Sequence, residues 1–197
     1  MKEIDERRSI RKYTGQEISD SDIRDILASA INAPSAKNRQ PWKFIVVQGD
    51  AKKEMLNVFR KGMEREEAGD AALLSESKQH IEAAKYTISI MEQAPVIIYV
   101  VNAMGKGIFE ELSEEERVFE LCNIQSISAA IQNMLLEATH KGLGSLWICD
   151  IFFAYQELNE WLDVDGELLA ALALGYPDEF PRARPRKGIE DVTIWKK

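Results

Sequence analysis

Residues Ala33 to Val47 read A-P-S-A-K-N-R-Q-P-W-K-F-I-V-V, a helix exit, a polar loop and a buried strand in succession. Pro34 disfavours helical geometry at Ala33, so the chain leaves a helix there and runs as a loop to Pro41. Phe44 to Val47 then forms a short, β-branched strand. The two prolines lower the entropy cost of presenting Ser35, Asn38 and Gln40 in one geometry, which suits ligand recognition. The alternative is a plain connection whose polar side chains bond their own backbone.

Upstream of this stretch, Ser19 and Asp22 have the spacing of a capping box, and Ile23, Ile26, Leu27, Ala30 and Ile31 share one helical face. A helix from Asp20 to Asn32 is expected. Downstream, Glu54 to Arg65 and Lys78 to Glu92 read as helices, with the polar stretch Glu64 to Asp70 as a surface excursion between them. Pro95 opens the apolar run Val96 to Val101, whose length and β-branching suit a buried strand. Ser113, followed by Glu114, Glu115 and Glu116, supplies an N-cap and an acidic first turn for a long helix ending at Lys141-Gly142. Its apolar residues from Leu121 to Ala138 cover more than one stripe, which implies burial on several sides and leaves a face that a second subunit could cover. Ser145 to Cys149 reads as a short strand, Tyr155 to Leu162 as a helix and Leu168 to Leu174 as a final core strand. Strands and helices mix without strict βαβ alternation, so the fold class is an α+β sandwich, in one domain over residues 1–197.

The formal net charge of −8 argues against a nucleic-acid surface, which needs a basic face to release counterions. Positive residues nevertheless concentrate at the two ends, in Arg7, Arg8, Arg11 and Lys12 and in Arg182, Arg184, Arg186 and Lys187. If the fold brings the ends together, they make one anion site in an acidic protein. Cys122 and Cys149 form no metal or disulfide motif, His80 and His140 stand alone, and neither a metal site nor a nucleophilic triad is expected. The amino terminus lacks the apolar core of a secretory signal, and no apolar run approaches the ~18 residues of a membrane span. These features predict a cytoplasmic protein with no membrane partner.

Three segments carry candidate chemistry. Arg7, Arg8 and Arg11 offer bidentate guanidinium donors around the Ser9 hydroxyl, unless they are solvated or paired with Asp5 and Glu6. Gly142 to Ile148 combines glycines with an aromatic and apolar wall, yet it lacks the dinucleotide fingerprint and equally fits a glycine C-cap before a strand. Arg182 to Lys187 suits a phosphate contact or a solvated tail.

The ordered set of R-R-S-I-R at Arg7 to Arg11, A-P-S-A-K-N-R-Q-P-W at Ala33 to Trp42, the strand after Ala94-Pro95, G-L-G-S-L-W-I at Gly142 to Ile148 and the final G-Y-P and R-K-G-I-E-D-V resembles the nitroreductase family. The resemblance implies a central, mostly antiparallel sheet flanked by helices, in a homodimer that exchanges its carboxy-terminal arms and holds FMN at the subunit interface. It implies electron transfer from NADH or NADPH through the flavin to a small organic acceptor such as a nitroaromatic or quinone, in a ping-pong cycle without a catalytic side chain. Carried over by position, Arg7, Ser9, Arg11, Arg186 and Lys187 would hold the FMN phosphate, ribityl chain and pyrimidine edge, with Arg8 assisting. Pro34, Ser35, Ala36 and Asn38 would come from the other subunit, and Leu146, Trp147 and Ile148 would offer backbone near the reactive ring nitrogen. Many relatives place an asparagine against the pyrimidine ring, but Lys85 to Thr87 contains none. The loop Asn102 to Leu112 and the stretch Arg60 to Ser77 would set acceptor specificity. Dehalogenation, ene-reduction or flavin fragmentation on the same scaffold, and a non-enzymatic FMN sensor, remain open as alternatives.

Overall fold

In the computed structural model, which describes residues 2–69 and 72–197, a fully buried strand organises everything else. This strand, Val96–Asn102, lies between two neighbours in a four-stranded sheet. In chain order the elements are α1 (Lys2–Glu6), α2 (Asp20–Ile31), β1 (Trp42–Val47), α3 (Gly49–Ala68), α4 (Ile81–Gln93), β2 (Val96–Asn102), α5 (Glu114–His140), β3 (Gly144–Ile148), α6 (Tyr155–Leu162), β4 (Glu167–Gly175) and α7 (Ile189–Val192). The sheet order is β1-β2-β4-β3, and every neighbouring pair is antiparallel.

The two-residue period of a strand divides β2 between two cores. Ile97, Tyr99 and Val101 meet Met55 and Phe59 of α3, Ala84 and Met91 of α4 and Leu158 of α6. Val96, Ile98 and Val100 meet Ile26 and Ala30 of α2 and Ile127, Ile131 and Met134 of α5. Each such aliphatic side chain contributes about 1.5–3 kcal/mol on burial, which is why this run behaves as a strand covered on both faces. The register slips between Val100 and Val101, which pair with Ala170 and Leu168, so Leu169 bulges. Beyond the bulge Asn102 sits opposite Glu167.

The expected α+β sandwich is the observed architecture, and several local readings hold closely. Ser113 accepts from the Glu116 backbone while the Glu116 side chain accepts from the Ser113 N–H, a complete capping box. Ser19 caps α2 through the Asp22 N–H, but its hydroxyl also bonds the Asp22 carboxylate, so the box is not reciprocal.

Other readings are corrected. The helix expected from Glu54 begins at Gly49, because Lys52 Nζ ties the polar first turn to the carbonyls of Glu92 and Ala94 at 2.9 and 2.7 Å. The surface excursion expected from Glu64 is helical to Ala68, and Glu66 is only 1% exposed. Its carboxylate accepts from the backbone of Leu73 and Leu74 at 2.7 and 3.1 Å and pairs with Arg65, a tertiary role that a polar stretch does not advertise. Asp70, at the end of the expected excursion, lies outside the described residues. The helix expected from Lys78 starts at Ile81, after a 3₁₀ segment, Ser75–His80, with a break at Ser77. On α5, Val118 and Leu121 are exposed, so within this chain the helix is not covered on every apolar side.

Candidate functional site

The two basic ends of the chain meet. Ser9 bridges Ser145 at the edge of the sheet, Ile10 N donates to the Ser145 carbonyl at 3.0 Å, and Thr14 N donates to the Tyr176 carbonyl. The approach is close enough that a Cβ on Gly144 would stand 2.9 Å from the Ile10 side chain, which explains glycine at the start of β3. From Tyr176 the chain returns along the amino-terminal segment, with Asp178 N donating to the Lys12 carbonyl and Glu179 accepting from Arg11 N at 2.5 Å.

This return closes a cavity of about 450 Å³ lined by Arg7, Arg8, Ser9, Arg11, Arg182, Arg184 and Arg186 together with Ile4, Asp5, Pro181 and Ala183. None of these six arginines forms an ion pair among the described residues. Arg8 turns to the carbonyls of Asp5 and Arg7 rather than to a carboxylate, and Glu6 takes Lys2. Arg186 rests on the carbonyls of Arg184 and Pro185. Six guanidiniums without a carboxylate partner, inside a protein of charge −8, make a focused positive potential suited to a phosphate.

Arg11 also lines a second cavity of about 340 Å³, whose other walls are Leu146, Trp147, Ile148, Cys149 and Asp150 after β3 and Ala83, Tyr86, Thr87 and Ile90 of α4. The Ser145 carbonyl points out of the sheet toward Ile10, and by the two-residue period the N–H and carbonyl of Trp147 point the same way. Leu146 and Ile148 are buried beneath, while the Trp147 side chain is exposed. Thr87, 6% exposed, donates to the Asp150 carboxylate at 2.5 Å. Partial desolvation, then the neighbouring Asp150, raises the Cys149 thiol, although the residue keeps solvent exposure. The two cavities meet at Arg11, which walls a charged cradle on one side and, on the other, a mixed slot edged by the outward backbone of Trp147.

The expected residues divide into two groups. Arg7, Arg8, Ser9, Arg11 and Arg186 line the charged cavity, and Leu146, Trp147 and Ile148 line the slot. Lys187 follows Arg186 on the exposed arm and lines neither. Pro34, Ser35, Ala36 and Asn38 also line neither; they lie on the α5 side of the sheet, where Ala36 N donates to Ser126 Oγ at 3.2 Å. That loop is strained. Lys37, Asn38 and Gln40 all have positive φ, of 52°, 54° and 50°, a conformation that costs a non-glycine residue about 1 kcal/mol. It is held by Ser35 Oγ, which accepts from Gln40 N at 3.1 Å, and by Arg39, whose guanidinium lies 4.4 Å from the Phe119 ring centroid. Such strain persists only where surrounding contacts hold it.

Sequence alone gives Thr87, Asp150 and Cys149 no place in a site. Thr87 and Asp150 belong to different elements and have no motif spacing; the only signal was the gap where an asparagine was expected, and Thr87 lies in that gap. Arg182 and Arg184 were visible as charge, but their convergence with Arg7 depends on the path of the arm.

Residues 4–176 match the model of the nitroreductase family. The Bacillus subtilis protein YfhC, which carries the name of an NAD(P)H nitroreductase, is 30% identical over 193 residues, covering 95% of this chain and 89% of its own. A BluB-like flavoprotein from Clostridium difficile superposes with a TM-score of 0.79 at 27% identity, over 100% of this chain and 98% of that one. A Desulfovibrio desulfuricans protein described as a nitroreductase and solved in complex with FMN superposes with a TM-score of 0.73 at 28% identity, over 100% of this chain and 95% of that one.

Proposed function

This chain belongs to the nitroreductase family, and from that premise we propose that it is an FMN-dependent oxidoreductase passing electrons from NADH or NADPH to a small organic acceptor such as a nitroaromatic or quinone. The observation that carries the reading is Arg11, which lines both the arginine cavity and the mixed slot. A ligand with a phosphate at one end and a flat, partly polar ring at the other matches that continuity, and the Desulfovibrio relative binds FMN. Bound FMN would supply the redox chemistry, accepting hydride from the nicotinamide and returning electrons to the acceptor in alternate half-reactions.

The residues then divide the work of binding. Arg7, Ser9 and Arg186, with Arg8 and Lys187 near them, hold the phosphate and ribityl chain by charge-assisted hydrogen bonds. Arg11 faces the pyrimidine edge, where its fixed positive charge favours added negative charge. Leu146 and Ile148 back the ring, and the outward backbone of Trp147 offers it a donor. No carboxylate, histidine or thiol is assigned to the chemistry; positioning and charge are the protein's contribution.

The flavin site is completed by a second copy of the chain. Pro34, Ser35, Ala36 and Asn38 line neither cavity of their own chain, which leaves them available to the partner's site. The arm leaves Phe180, Ile189, Val192, Ile194 and Trp195 more than 60% exposed, an apolar series that a partner would cover. Exposed Val118 and Leu121 on α5 add to that surface. Among the described residues no helix is long and apolar enough to cross a membrane, and the two cysteines are free, which suits a cytoplasmic site of action.

FMN titration into apoprotein, followed by quenching of flavin fluorescence, tests the binding assignment. Loss of one charge-assisted hydrogen bond is worth about 1.5–3 kcal/mol, so Arg7→Ala and Arg186→Ala should each weaken binding at least about tenfold. Unchanged affinity in both variants would move the phosphate elsewhere.

A further inference from the structure

At the far end of β2, three elements bring buried polar groups together beneath a loop. Asn102 is fully buried and stands opposite Glu167, which is 7% exposed at the start of β4. Asn102 Nδ2 donates to Glu120 of α5 at 2.8 Å, and its side-chain carbonyl accepts from Met104 N at 3.2 Å. The Glu167 carboxyl faces both the Glu120 carboxyl and the Asn102 amide, yet its buried Oε2 has no hydrogen-bond partner among the described residues. Two ionised carboxylates have no hydrogen to share, so the contact between them is relieved when one proton lies between them.

The loop of residues 103–112 sits directly on this pair. A Cβ on Gly105 would stand 2.7 Å from Asn102 Nδ2 and 3.0 Å from Glu167 Oε2, so the backbone packs against the cluster with no intervening side chain. Among the described residues, Gly105 N also donates to the Asn102 carbonyl at 3.0 Å, and three further tethers reach other elements. Ala103 N donates to the Pro41 carbonyl at 2.8 Å, Lys106 pairs with Glu116 at 2.7 Å, and the Phe109 ring meets Tyr155 edge-on at 5.7 Å. Met104, Ile108 and Phe109 are otherwise exposed. The loop therefore depends heavily on the cluster below it.

We propose that Glu120 and Glu167 form a proton-dependent latch: one shared proton holds the loop of residues 103–112 down, and its loss releases the loop. Among the described residues, Tyr155 of α6 stands near both carboxyls, while on the loop Lys106 faces Glu116 of α5 and Glu110. Lys106 is engaged by Glu116, so it does not neutralise the carboxyls. Burial, then the hydrogen bond and charge of Glu120, push the Glu167 carboxyl up to about 8. In an opened loop the same carboxyl meets water and returns toward its ordinary value of 4.5. Between those values the closed form binds the extra proton, so opening releases a proton and becomes easier as pH rises, by up to about tenfold per pH unit. The effect levels off above about 8, where the closed form is also deprotonated.

Because Ala103 is bonded to Pro41, release would reach the strained loop assigned to the partner's flavin site, but the latch itself does not rest on that assignment. The test is amide hydrogen exchange of residues 103–112 in the full-length protein from pH 5 to 9, corrected for intrinsic exchange rates, on wild type, Glu167→Gln and Glu120→Gln. Wild-type protection should fall by up to about tenfold per pH unit and then flatten, while an amide that supplies its own N–H should keep protection level across the range. Wild-type protection independent of pH, or the wild-type pH dependence persisting in Glu167→Gln, would overturn the latch. Should the variants lose protection in β2 and so prove misfolded, carboxyl-¹³C Glu spectra of the wild type decide: a carboxyl titrating well above the ordinary range in step with the loop amides supports the latch, and none doing so refutes it.

Discussion

Arg11 is held from two directions, its backbone N–H by the Glu179 carboxylate and its guanidinium by the Ser9 carbonyl at 3.3 Å. A side chain fixed in this way presents charge with little further entropy loss, the condition under which an electrostatic contact acts on a bound ring. Replacing Arg11 by Ala should lower the flavin midpoint potential and cut turnover about tenfold or more, the worth of one charge-assisted hydrogen bond. Redox titration beside steady-state kinetics checks both, and an unchanged potential with unchanged turnover would remove Arg11 from this role. The basic cluster around Arg11 was readable because both ends of an acidic chain carry arginines. Thr87 and Asp150 were not, since a threonine on a helix and an aspartate after a strand carry no meaning until the fold places their side chains 2.5 Å apart.

Elements were legible where local pattern and tertiary demand agree. Tyr155 to Leu162 was expected as a helix and is one, and the run from Val96 is a strand because apolar layers cover both of its faces. Legibility failed where long-range contacts decide, as in the first turn of α3, fastened by Lys52 to the end of α4, and its last turn, held by buried Glu66. The same helix packs on the segment Asp150–Ala154 through Gly62, where an added Cβ would stand 2.5 Å from Ala154 Cα. Alanine is the better helix former by about 1 kcal/mol, but the two nearest obstructing atoms, Ala154 Cβ and Cα, are fixed to the backbone and cannot rotate away. Gly62→Ala should therefore destabilise the protein by about 1–3 kcal/mol, seen as a lower urea midpoint at unchanged slope. A raised midpoint would mean that α3 can shift off the segment without cost.

At the scale of the whole molecule, apolar surface concentrates on the carboxy-terminal arm, with Ile194 87% and Trp195 68% exposed, while the sheet is covered on both faces. In the dimer proposed above, exchange between two copies would cover both arms at once. Truncation before Gly188 keeps Arg186 but removes Ile189, Val192, Ile194 and Trp195. Sedimentation should then show a shift from dimer toward monomer with weakened FMN retention, whereas an unchanged dimer would assign the interface to α5 alone. The most direct measurement of the central claim is the visible absorption spectrum of the purified protein before and after anaerobic addition of NADH or NADPH. Flavin bands that bleach on addition are the predicted result; a protein that neither retains FMN nor takes it up when supplied would contradict the account.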